Sequence, residues 1–144
     1  MKAVLIDSDV ILDALSNRQP FAKDSIQILT LCETKQIHGY ITPVILSNLY
    51  YLLRKIGVSN SLILENFRNL LTNILFDVVP MDKKSIMTAI DSEFNDLEDA
   101  LQNFSAENHA DISVIITRNT RDFKRSNLSI MTPKEFLGTV RAKQ

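Results

Sequence analysis

Five carboxylates crowd one short stretch: Asp91, Glu93, Asp96, Glu98 and Asp99 fall within nine residues that hold no base. Part of the cluster has a plain structural reading. Acids near a helix start are favoured by the positive end of the helix dipole, which accounts for Asp91, Glu93 and Glu98 on a solvated face. Asp96 and Asp99 fit that reading less well. They stand three residues apart on one helix face, and the apolar Ala100, Leu101 and Phe104 that follow turn part of that face inward. Like charges facing a core need a positive partner. A hard divalent cation, Mg²⁺ or Mn²⁺, is the simplest one. It takes oxygen ligands, commonly one or two carboxylates plus waters and a substrate phosphate. Asp7, with Asp9 and Asp13 close behind, adds another carboxylate after the apolar run 3–6. The chemistry read from these residues is an open, water-rich, oxygen-only metal site. His38 and His109 have no metal-ligand spacing and read as surface or capping residues. No Gly-rich phosphate loop occurs, and neither Ser-His-Asp nor Cys-His catalysis has local support.

The elements that must position these acids follow from periodicity. Residues 3–6 read as a short buried strand and 10–15 as a short helix after the acidic turn. A helix is expected over 21–35, a second strand over 39–42, and a helix over 44–55, opened by Pro43 and closed by Gly57. Ser59 or Ser61 caps the next helix, to about residue 73, and 74–79 forms a third strand stopped by Pro80. Asp82 caps a helix to about residue 94, and another runs over about 96–108. Ile112–Ile116 is a β-branched fourth strand and Ser129–Met131 a fifth. Thr132-Pro133-Lys134-Glu135 matches a capping box that starts a helix over 135–141. Strands alternating with helices mean a parallel sheet between helical layers, an α/β fold. Such sheets place their sites at the carboxyl ends of strands. That puts Asp7, Ser8 and Asp9 on the same edge as Thr117, Arg118 and Asn119.

The whole-chain figures set the bounds. The 144 residues fit one domain that buries a core without staples, and 45% apolar content argues against disorder. A lone Cys32 excludes a disulfide framework and a Cys-based zinc site, and reads as a small core residue. The apolar run 3–6 is too short for a signal-peptide core, and no run approaches a membrane span. The expectation is a soluble, cytoplasmic protein. With 16 bases and 17 acids, a uniformly basic nucleic-acid binder is excluded. The distribution is polarised, however. Residues 77–111 carry nine acids and two bases, whereas 118–144 carry seven bases and two acids.

In order along the chain, the segments resemble a known family. Leu5-Ile6-Asp7-Ser8-Asp9-Val10-Ile11-Leu12-Asp13 resembles the opening of PIN domains, and Asp96-Leu97-Glu98-Asp99-Ala100-Leu101-Gln102 their central acidic motif. Ile116-Thr117-Arg118-Asn119-Thr120-Arg121-Asp122-Phe123 resembles their strand-end motif, and Thr132-Pro133-Lys134-Glu135-Phe136-Leu137 the closing helix. The resemblance covers essentially the whole chain and implies a single PIN-like domain over residues 1–144. It implies a three-layer α/β/α sandwich with a central parallel sheet of four to five strands. It further implies a Mg²⁺- or Mn²⁺-dependent endoribonuclease that leaves a 5′-phosphate and a 3′-hydroxyl. Many small bacterial members, of the VapC type, are toxins inhibited by a cognate antitoxin and commonly dimeric. An RNA substrate, an antitoxin and a second copy of the chain are therefore the implied partners. By resemblance Asp7 is the first metal ligand and Asp99 the central one, both catalytic. Asn119 and Asp122 occupy the last ligand positions, Asp122 with a catalytic role, and Asp96 joins the metal set. Thr117 is the supporting hydroxyl, with Asp9 beside it.

One position departs from the family pattern. Where members usually carry Glu in the helix after the second strand, this chain has Asn48. Its carbonyl retains the ability to bind a cation or orient water, yet one negative charge is lost, which weakens metal binding. Asn48 is assigned a catalytic role, and it also motivates an alternative: a weakened PIN domain acting as an RNA- or protein-binding module. A third reading is a haloacid-dehalogenase-type phosphatase, for which Asp7-Ser8-Asp9 resembles the nucleophile motif. That family needs a Lys and a downstream acidic pair which this chain does not supply convincingly. For the substrate, Arg118, Arg121, Lys124 and Arg125 lie beside the predicted site and are read as phosphate contacts, against the alternative of a solvated basic loop. Tyr50, Tyr51 and Phe123 are read either as base-stacking residues or as core and interface.

Overall fold

The computed structural model describes residues 1–74 and 76–142. Leu75, inside the expected third strand, and Lys143, the last of the C-terminal bases, lie outside the described residues, as does Gln144.

The chain runs β1 (Lys2–Ile6), α1 (Ser8–Leu15), α2 (Ala22–Glu33), β2 (Ile37–Ile41), α3 (Pro43–Lys55), α4 (Asn60–Thr72) and β3 (Asp77–Val78). It continues through α5 (Lys83–Ile90), α6 (Leu97–Glu107), β4 (Ile112–Ile116), a 3-10 turn (Thr120–Phe123), β5 (Ser129–Met131) and α7 (Pro133–Ala142). Five parallel strands stand in the order β3-β2-β1-β4-β5. The sheet is the middle layer of a three-layer α/β/α fold. The apolar run Val4-Leu5-Ile6 is wholly buried, because β1 is covered by helices on both faces.

The order decides where a site can form. From β1 the chain crosses to β2 on one side, and β4 later pairs with β1 on the other. This reversal opens a crevice at the carboxyl ends of β1 and β4, the usual binding place in an open α/β sheet. Asp7 and Thr117 are the first residues past those ends.

Short side-chain caps set the helix starts. Asp7, Thr42, Ser59, Asp82 and Asp96 each accept a backbone N–H of the helix they precede. Pro43 occupies the first turn of α3, and Gly57 follows its end at φ +96°, a left-handed conformation suited to glycine. Thr132 Oγ1 accepts the Glu135 N–H and Glu135 Oε1 accepts the Thr132 N–H, so the closing capping box forms in both directions. At Gly39 a Cβ would stand 2.7 Å from Cys32 Sγ and 2.8 Å from the Phe76 ring, so β2 lies against that layer only without a side chain there. Cys32 is a buried core thiol, pushed up to about 12 by burial.

Two elements are shorter than their patterns imply. Among the described residues of the expected strand 74–79, Asp77–Val78 alone joins the sheet. The Ile74 N–H bonds Asn69 and the Phe76 N–H bonds Leu70, so the end of α4 claims those backbone donors. α5 ends at Ile90 rather than near residue 94. Ser92 Oγ donates back to the Ala89 carbonyl, and Phe94 leaves the helix to pack edge-on against Phe104 and Phe123. Phe123 is fully buried there, which removes it as a base-stacking residue. Tyr50 donates to Asn60 Oδ1 at 2.6 Å, and Tyr51 is exposed.

Candidate active site

The crevice gathers one hydrogen-bonded group around Asp7, itself only 5% exposed. Its Oδ1 accepts the Ser8 N–H at 2.8 Å, which starts α1. Its Oδ2 accepts the Thr117 hydroxyl at 2.8 Å, which ties β1 to the end of β4. Asp9 lies alongside: its Oδ2 accepts the Arg118 N–H at 3.1 Å, and Thr117 Oγ1 stands 3.5 Å away. Asn48 reaches the same group from α3, donating its side-chain amide to Ser8 Oγ at 2.8 Å. The Asn119 N–H closes onto Thr117 Oγ1 at 3.0 Å, and the Asn119 carbonyl accepts the Asp122 N–H at 3.0 Å. This turns the chain after β4 so that Asp122 faces the start of α6.

A second group lines an adjoining cleft of about 110 Å³: Asp96, Asp99 and Asp122, with Arg121, Lys124 and Arg125. Asp96 caps α6, its Oδ1 accepting the Asp99 N–H at 3.0 Å. Asp99 sits in the first turn, half-buried. Arg125 pairs with Glu93 at 2.8 Å on the surface.

The two acidic groups feel each other. Burial pushes Asp99 up to about 7, reinforced by the charges of Asp96, Asp7, Asp122 and Glu98. Burial likewise lifts Asp9 to about 7, with Asp7 adding to it and the Arg118 N–H opposing. Asp7 is raised by burial against the hydrogen bonds of Thr117 and Ser8. Glu98 is raised too, by burial and then by Asp96 and Asp7. Glu98, expected on a solvated face, is instead half-buried and within the field of Asp7. Crowded carboxylates of this kind are an electrostatic cost that a cation would relieve.

The donor set fits a hard divalent ion. It is all oxygen, and Asp9 Oδ1 is buried with no hydrogen-bond partner. Among the described residues no three His, Cys, Asp or Glu side chains already form a cage. Mg²⁺ does not need one, since it keeps several waters and uses one or two carboxylates.

These shifts carry a pH prediction. An acid raised on folding binds protons more readily in the folded chain than in the unfolded one. Metal-free stability therefore falls as pH rises from about 4 to about 7, the window between the ordinary carboxyl value and that of Asp9 and Asp99. A cation binds the ionised carboxylates, so Mg²⁺ is expected to raise the melting temperature at about pH 8 and hardly at about pH 5. Melting curves with and without Mg²⁺ check this; an equal shift at both pH values counts against it.

One sequence assignment changes in the structure. Arg118 does not project into the cleft; its guanidinium pairs with Asp13 at 2.5 and 3.1 Å and lies over the Phe21 ring. Asp13, wholly buried in that pair, is not an open carboxylate for a cation. Ser8, which the sequence sets on this edge without a role, is the link between Asn48 and Asp7. Its position directly after a strand-end Asp was the available signal.

A family model described as PIN domain matches residues 3–121. Ribonuclease VapC1 of Aquifex aeolicus (strain VF5) is 27% identical over 138 residues, 92% of either chain. Three solved structures share the fold. VapBC2 from Rickettsia felis, bound to a DNA fragment from its promoter, superposes with a TM-score of 0.61 at 16% identity, covering 90% of this chain and 96% of that one. FitAB bound to an IR36 DNA fragment gives 0.66 at 15%, covering 90% and 94%. FitAcB from Neisseria gonorrhoeae gives 0.64 at 16%, covering 91% and 98%.

Proposed function

This chain belongs to the PIN domain family, and on that premise we propose that it is a metal-dependent endoribonuclease, the toxin of a toxin–antitoxin pair. The observation that carries the reading is the convergence of Asp7, Asp9 and Thr117 at the sheet's switch point, within the field of Asp99. The likeness to Ribonuclease VapC1 supports the activity, and the likenesses to VapBC2 and FitAB support an antitoxin partner. Membership of this family sets the phosphatase alternative aside.

In this proposal Asp7 and Asp99 hold Mg²⁺ or Mn²⁺, with Asp96, Asn119 and Asp122 completing an oxygen-only, water-rich set. Such a cation, when bound, supplies acidification of water and neutralisation of charge on the scissile phosphate. The chain's own residues do the rest. Thr117 and Ser8 orient Asp7. One of the cleft carboxylates, Asp122 in this proposal, accepts the proton when it is not binding the cation. Arg121 and Lys124 line the same cleft and, among the described residues, form no ion pair, which leaves them for the RNA backbone. Residues 1–144 act as one PIN-like unit in the cytoplasm; among the described residues no helix is long and apolar enough to cross a membrane. The exposed side chains of Met87, Ile90 and Leu97 are apolar surface for the proposed protein partners, an antitoxin and a second copy of the chain.

Purified protein incubated with RNA is the test: cleavage with Mg²⁺ or Mn²⁺, abolished by chelation, is expected, and no cleavage under any metal rejects the enzyme. One observation favours the second reading, a weakened binding module. Asn48 spends its amide on Ser8 rather than supplying a carboxylate. Asn48→Glu is expected to tighten Mn²⁺ binding by roughly tenfold, one added ligand charge. A rate that rises steeply in step identifies the wild type as the weakened module. An already robust rate that stays level refutes that reading.

A further inference from the structure

Asp9 and Asp13 stand one helical turn apart on α1 and hold the same residue by two different groups. Asp9 Oδ2 accepts the main-chain N–H of Arg118 at 3.1 Å. Asp13 takes its guanidinium, Oδ2 from Nε at 2.5 Å and Oδ1 from Nη2 at 3.1 Å. The Phe21 ring, at the start of α2, lies 4.1 Å from the guanidinium carbon. The Asp13 side chain is 0% exposed and that of Arg118 22%. A planar fork with two arms occupied and a ring across its face has one orientation. The next residue back is Thr117, whose hydroxyl donates to Asp7 Oδ2 and whose Oγ1 receives the Asn119 N–H. Whatever fixes residue 118 thereby fixes the hydroxyl that aims Asp7 and the turn that carries Asn119 and Asp122.

We propose that Arg118 is a positioning residue: its paired hold on Asp13, under Phe21, keeps the exit of β4 against α1 so that Thr117 and Asp9 set Asp7 for the cation. This rests on the nuclease reading of the site and assigns Arg118 a task other than touching RNA.

Two variants test it, each measured for Mn²⁺ affinity by calorimetry, for melting temperature, and for kcat and KM on RNA at two salt concentrations. Arg118→Lys keeps the charge and loses the fork. The double variant Asp13→Leu with Arg118→Leu removes both charges together, so it leaves no unpaired buried ion and holds its fold if Arg118→Lys does not. Both are expected to lose Mn²⁺ affinity and kcat by about ten- to a hundredfold, the range for groups that orient metal ligands. KM and its salt dependence stay near those of the wild type. If the loss falls on KM with a smaller salt slope, Arg118 contacts a phosphate and the proposal is overturned. It is also overturned if the folded variants bind Mn²⁺ and turn over as the wild type does. If the wild type itself cleaves no RNA, the nuclease reading fails, while Mn²⁺ affinity still decides the positioning role: a loss supports it and no loss rejects it.

Discussion

Asp99→Asn is expected to lower RNA cleavage by about two to three orders of magnitude while making the metal-free protein more stable above about pH 7. The two effects have one cause. Asp99 is half-buried and its charge is opposed by Asp96, Asp7, Asp122 and Glu98. Ionising it costs free energy in the fold, and the neutral amide removes that cost without changing the shape. The same charge is what a cation needs, so the Mg²⁺-induced rise in melting temperature disappears with the activity. A carboxylate kept for structure behaves the other way, losing stability when neutralised. Asp7→Asn gives the same loss of cleavage, and asparagine caps a helix about as well as aspartate, so α1 is retained. Rates and melting curves, with and without Mg²⁺, check both variants. Cleavage that survives in both would falsify the assignment of the nuclease to this crevice.

Asp13→Ala is expected to cost about 3 kcal/mol of stability. Removing one partner of a buried ion pair leaves the other charge uncompensated. The cost falls at the low end of the usual range because Arg118 keeps about a fifth of its side chain in water. For a chain of this size the change lowers the melting temperature by roughly 10 °C. The denaturation midpoint should fall with little change in slope, marking lost stability rather than a different folded state. Adding Arg118→Leu should restore most of the loss, since the unpaired charge goes too. A cost under about 1 kcal/mol would mean that Asp13 and Arg118 behave as a surface pair.

The contrast between Asp99 and Asp13 shows what a linear reading can reach. Both are acids near the expected site, and by resemblance Asp99 has a ligand role and Asp13 none. In the proposed site Asp99 lines the cleft, whereas a base 105 residues away occupies both oxygens of Asp13. No spacing rule reports a partner at that distance. Glu98 reads as solvated for the same reason, since its burial and part of the charge that raises it, from Asp7 at the end of β1, come from the fold. β3 and the end of α5 were overrun because backbone donors and an aromatic cluster elsewhere claimed their residues.

The amino-acid sequence by itself determined the alternation of buried runs and capped helices, hence a parallel sheet between helical layers. It placed Asp7 and Thr117 at strand ends and Asp99 in the first turn of a helix. These follow from local chemistry: side-chain periodicity, caps within three residues, and the apolar runs that parallel strands require. Tertiary structure alone decided which polar groups meet. It put Thr117 on Asp7, Arg118 on Asp13 and Asn48 on Ser8, across 110, 105 and 40 positions. The reason is physical: the strand order brings β1 beside β4, and a charge buried at that junction takes the partner that packing offers, whatever its place in the chain.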